Sequence, residues 1–99
     1  MTQQYLAGEL SVLLGRLELA ASDPACALAV HRLRREAETV PPAALGPVAA
    51  RALSVADEAC WRALERGDAL AFARQAEACG ELWRFGVCAD LLQEGPGLG

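Results

Sequence analysis

Ala63-Leu64-Glu65-Arg66-Gly67-Asp68-Ala69-Leu70 is the stretch on which the fold turns. Gly67 follows a helical run and suits the left-handed conformation that closes a helix. Asp68 suits the N-cap of a second helix, because its carboxylate can accept from the first free backbone N–H groups. A link of about two residues leaves no room for a crossover, so the two helices must lie antiparallel. This part of the chain therefore reads as a helical hairpin.

Upstream, the third helical segment begins with Pro47 near its first position and ends at Arg66. Val48, Ala49, Ala52, Val55, Ala56, Ala59, Cys60 and Ala63 form its apolar side, with Leu53 and Leu64 at one edge. Arg51, Ser54, Asp57, Glu58, Arg62 and Glu65 form its polar side. Downstream, the fourth segment is predicted to run to about Glu94. Phe72, Ala76, Cys79, Trp83, Val87 and Leu91 hold one broad face, and Leu82, Phe85, Ala89 and Leu92 another. Gly80 and Gly86 in this helix imply close backbone packing or space for a small ligand, since Gly in a helix interior costs about 1 kcal/mol relative to Ala.

The other half of the chain repeats the pattern. Leu6, Leu10, Leu13 and Leu17, with Leu14 beside them, mark an amphipathic helix over about Gln3 to Ala21. A second stripe of Gly8, Val12, Gly15 and Leu19 reads as a face packed against a second neighbour in the bundle, with self-association as the alternative. Asp23 and Pro24 form a cap and first-turn pair that opens the second helix. Cys26, Val30, Leu33, Ala37 and Val40 lie on one face of it. Pro41-Pro42 ends it, because a residue before proline avoids the α region. Residues 42–46 then read as a turn or one short helical turn. The expectation is an all-α fold: a compact antiparallel four-helix bundle of two helical hairpins, one domain over residues 1–94 with a disordered tail over 95–99.

Composition agrees. The 99 residues are 54% hydrophobic and carry a net charge of -4, enough apolar matter for a core and too little positive charge for phosphate backbones or anionic lipid. Lys, Asn and Ile are absent and all nine cations are Arg, which points to a high-GC bacterial genome. No run approaches the roughly 18 apolar residues of a membrane span. Without a basic start and an apolar run the N-terminus reads as no secretory signal. A cytoplasmic protein with reduced cysteines is expected, and neither nucleic acid nor membrane as a partner.

Chemistry is sparsely signalled. No P-loop, dinucleotide fingerprint, nucleophile elbow or Glu-x-x-His pair is present, so an enzyme is not expected, nor a cofactor. The cysteines at 26, 60, 79 and 88 lack the close pairs of zinc sites. Cys79 and Cys88 would point to opposite sides of their helix, about 13 Å apart along its axis. Cys26, Cys60 and Cys79 sit on or near core-facing stripes and read first as small core residues, with a thiol-based metal or redox site as the alternative. His31 has no nucleophile or orienting carboxylate in local sequence and reads as a surface residue. The basic run His31-Arg32-Leu33-Arg34-Arg35 could hold an acidic segment, although Arg32–Glu36 and Arg34–Glu38 are spaced for pairs within the helix. Trp61 is the most informative residue: it falls among Asp57, Glu58, Ser54 and Glu65 on the polar side, where a large indole reads either as an interface anchor or as lying back over a groove edge or the loop after the second helix.

Length, acidity and helix content resemble the small helical secretion substrates with a Trp-x-Gly turn. That turn is absent, since Trp83-Arg84-Phe85-Gly86 has the wrong spacing and lies within a helix. The functional expectation rests on the residues alone: a non-enzymatic protein–protein interaction module, an adaptor or accessory subunit and a homodimer. Trp61, Trp83, Phe85, Val12, Leu19 and Arg35 are its expected contact residues, with the thiol-based protein as the alternative.

Overall fold

A computed structural model describes residues 3–92. Four helices run through them, α1 Gln3–Ala20, α2 Pro24–Thr39, α3 Leu45–Glu65 and α4 Ala69–Cys88, with a short 3-10 turn at Pro42–Ala44 before α3. Among the described residues there is no strand. The predicted tail over 95–99 lies outside the described residues, as do residues 93–94 of the predicted fourth helix.

Local chemistry sets each boundary. Asp23 caps α2, its Oδ1 accepting from the Ala25 N–H at 3.0 Å, and Pro24 sits in the first turn. Asp68 caps α4 by accepting from the Ala71 N–H at 3.1 Å. Between α3 and α4, Gly67 adopts φ +75°, its N–H donates to the Leu64 carbonyl and the Asp68 N–H to the Ala63 carbonyl. Those two bonds are the Schellman closure, which ties up carbonyls the helix would otherwise leave open. α3 starts two residues before Pro47. The proline is still in the first turn, where its missing N–H had no partner within the helix to lose.

The helices pack as a four-helix bundle. α1 lies against α2 and α3 against α4 most extensively, and α1–α4 and α2–α3 contacts close the ring. Most of the buried side chains form one cluster drawn from all four helices, with Leu10, Leu14, Leu17, Val30, Leu45, Val48 and Leu82 at its centre. α3 contributes mainly alanines: Ala49, Ala52, Ala56, Ala59 and Ala63 are all buried.

α4 departs from expectation twice. Its buried face is Ala71, Gln75, Ala78, Leu82 and Gly86. The broader stripe of Phe72, Ala76, Cys79 and Trp83 is only partly covered, with Ala76 and Trp83 exposed. Packing selected the side with small residues, which lets α4 approach its neighbours, over the side with the larger apolar ones. The helix also stops at Cys88 rather than near Glu94. Asp90 turns left-handed at φ +61°, its N–H donates to the Val87 carbonyl, and the Leu91 N–H donates to the Gly86 carbonyl at 2.8 Å. This second Schellman closure folds Leu91 and Leu92 back onto the core. The two glycines beneath them have no room for more. A Cβ on Gly46 would lie 2.7 Å from the Leu91 carbonyl oxygen, and the Leu92 side chain fills the place of a Cβ on Gly86. Gly86 thus marks close packing and no cavity.

Ion pairs tie helix to helix. Arg16 of α1 meets Glu81 of α4 at 2.9 Å, Glu36 of α2 meets Arg51 of α3 at 2.6 Å, and Glu18 of α1 faces His31 and Arg34 of α2 at 3.3 and 3.8 Å. Arg62 of α3 reaches the cap residue Asp23 at 3.2 Å, and Arg66 donates to Ser22 Oγ at 3.1 Å. Glu36 and Arg34 therefore serve neighbouring helices rather than the pairs within α2 that their spacing suggests.

Candidate functional site

Two stripes face each other across the outer side of the α3–α4 hairpin. On α3, Asp57, Cys60, Trp61 and Leu64 recur at steps of three, one and three, so they share one face. On α4, Phe72, Ala76, Cys79, Gly80 and Trp83 recur at steps of four, three, one and three. Together they line an open groove of about 400 Å³. The inner sides of both helices carry small buried residues, such as Ala59 and Ala63 on α3 and Ala71 and Ala78 on α4, so the large side chains are left on the outer rim. Gly80 has open space where a side chain would begin, which deepens the groove at that point.

The walls are indole. Trp61 is 59% exposed and Trp83 40%, and Leu64 at one end is 49% exposed. These values are high for side chains that each bury a large area when they find a partner. Asp57 is the single charged residue lining the groove, and among the described residues it makes no ion pair. An apolar slot with aromatic walls and one free carboxylate suits an apolar side chain that is followed by a cation. The carboxylate would meet the charge, and the indole faces would add cation–π attraction.

Cys60 and Cys79 also line the groove. Burial pushes the Cys79 thiol up to about 11, with the negative fields of Cys60 and Asp57 adding to it. Burial likewise raises Cys60, followed by Asp57, and raises Cys26, followed by Asp23. At neutral pH all three are neutral thiols, poor nucleophiles and poor metal ligands in that form. Among the described residues no group of three or more His, Cys, Asp or Glu side chains is placed to hold a metal ion. Of the candidate trio, Cys26 lies in the core, and Cys60 and Cys79 line the groove.

The remaining expected contact residues scatter. Trp61 and Trp83 come together. Phe85 does not join them, because it is half-buried against the core. Val12 and Leu19 are 50% and 88% exposed on α1, and Leu19 borders a separate hollow shared with Arg16, Arg74 and Glu81. The small-residue stripe of α1 is interrupted, since the Arg34 guanidinium lies within 3.5 Å of where a Cβ on Gly15 would be. Arg35 is exposed on α2, off the groove. The sequence puts Asp57 on the polar side of α3, Leu64 at an edge of its apolar side and Phe72 on a broad apolar face of α4, so none of the three stands out as a site residue. Their signal was the spacing of Asp57, Cys60, Trp61 and Leu64, which brackets the misplaced indole with a helical face.

No family model, no curated protein and no solved structure compared with this chain matches it. No helix among the described residues is long and apolar enough to cross a membrane.

Proposed function

We propose that this protein is a non-enzymatic protein–protein interaction module that self-associates, with the α3–α4 groove as its docking face. The observation that carries the reading is the pair Trp61 and Trp83, held half in water on either side of an apolar slot. Covering such a surface removes indole and leucine area from water at roughly 25 cal/mol per Å². Trp is also the residue most often found to dominate binding energy at interfaces. The neutral thiols at the base of the groove add apolar lining.

Size-exclusion chromatography with light scattering tests it. The wild-type chain of 10.4 kDa should show a mass that rises with concentration. Trp61→Ala combined with Trp83→Ala should return it to the monomer while leaving the helical circular dichroism unchanged, because both indoles sit outside the core. A wild-type chain that stays monomeric at every concentration removes the self-associating reading.

A further inference from the structure

The groove has a counterpart on the same molecule. Leu28, Arg32 and Arg35 follow at steps of four and three along α2, opposite its buried stripe of Cys26, Val30, Leu33 and Ala37. All three are exposed, Leu28 at 50%. Among the described residues neither Arg32 nor Arg35 makes an ion pair, although every other arginine of α2 and α3 does. From Leu28 to Arg35 is seven residues, as it is from Leu64 back to Asp57, so each face spans about 10 Å along its helix.

The two faces match in order as well as length. The groove is apolar at Leu64 and Phe72 and anionic at Asp57. The α2 face is apolar at Leu28 and cationic at Arg32 and Arg35. With Leu28 seated by Leu64 and Phe72, α2 would run antiparallel to α3, and its guanidinium groups would arrive at Asp57 and the indole rims. Arginine there gains both a carboxylate partner and an aromatic face.

We propose that the occupant of the α3–α4 groove is a second copy of this chain, docked through the Leu28–Arg32–Arg35 face of α2. The inference rests on the interaction reading above and narrows it to one partner surface. A contact between unlike faces can be broken on either side separately. Trp61→Ala spoils the groove and leaves α2 intact. Arg32→Glu with Arg35→Glu reverses α2 and leaves the groove intact.

Each variant alone should be monomeric in light scattering. Mixed in equal amounts they should form a 1:1 species of about 21 kDa, twice the 10.4 kDa chain, because one intact α2 face meets one intact groove. Asp57→Asn should weaken wild-type self-association about fivefold, the effect of losing one partly exposed charge pair. A mixture that stays monomeric overturns the proposal, whatever the wild type does, as does an Arg32→Glu/Arg35→Glu chain that still self-associates. In the latter case the broader reading stands if the double Trp variant is monomeric. A wild type that is itself monomeric overturns both. Recovery of the complex on mixing also shows that each variant is folded, since each must supply its own intact half.

Discussion

Gln75 is the single polar side chain buried among the described residues, at 1% exposure. Its Nε2 donates to the Ala71 carbonyl at 3.0 Å, one turn back on α4, and its Oε1 has no partner. A buried carbonyl oxygen without a donor carries a desolvation penalty of about 1–3 kcal/mol. Gln75→Leu keeps a similar volume and removes both the orphan and the amide, so it should raise stability by about 1–2 kcal/mol, read as a higher urea midpoint. The same reasoning applied to Cys79 gives a pH dependence. Its folded pKa stands at about 11 against an ordinary 9.0, so the unfolded chain releases the proton first as pH rises. Stability is intact below pH 9 and falls between pH 9 and 11, by up to about 2 kcal/mol. Urea melts across that range should show the loss, and Cys79→Ala should reduce it, leaving the part that the raised Cys26 and Cys60 thiols contribute. Alkylation adds a second check: at neutral pH Cys88, which is exposed, should react well before the buried Cys26 and Cys60.

At the scale of elements, two glycines that look alike in sequence have opposite roles. Gly80 faces open space inside a helix, so Gly80→Ala should stabilise α4 by about 1 kcal/mol and make the groove shallower. Gly46 sits under the backbone carbonyl of Leu91, so Gly46→Ala should destabilise by about 1–3 kcal/mol despite the better helix propensity of alanine. Thermal melts of the two variants should therefore move in opposite directions. The sequence could not separate these positions, because what lies above each glycine comes from elsewhere in the fold. The boundaries, by contrast, were legible where a single side chain or backbone conformation decides them: Asp23-Pro24, Pro41-Pro42 and Gly67-Asp68 all act locally. The end of α4 was not, because Asp90 is an uncommon residue for the left-handed position and the leucines after it continue the helical apolar pattern. The site was half legible. Trp61 stood out by its polar company and Trp83 by the apolar excess of its helix, yet nothing marked Asp57, Leu64 and Phe72 as their neighbours. A helix with two apolar sides does not say which one the bundle will take, and here the choice fell on the side with Ala71, Ala78 and Gly86.

For the whole molecule, the burial of alanines between α3 and α4, with Trp61, Leu64 and Trp83 left outside, makes core and groove separable. Ala63 is fully buried at the last turn of α3, where the link to α4 is short. Interiors of this kind are close-packed, and added methyl groups have nowhere to go without moving a helix. Ala63→Leu should lower stability by about 1–3 kcal/mol, which for a chain of this size shifts the melting temperature by about 4–8 °C per kcal/mol. The displaced helix would carry Trp61 away from Trp83, so self-association should weaken together with the melting temperature. Leu64→Ala is the contrasting change one residue along. Leu64 is half exposed on the groove side, so its truncation should leave the melting temperature of the dilute monomer nearly unchanged and weaken association alone. Melting curves of both variants at low concentration, paired with light scattering at high concentration, decide it. If Leu64→Ala melts as early as Ala63→Leu, the outer stripe is part of the core after all, and the groove loses its independence from the fold.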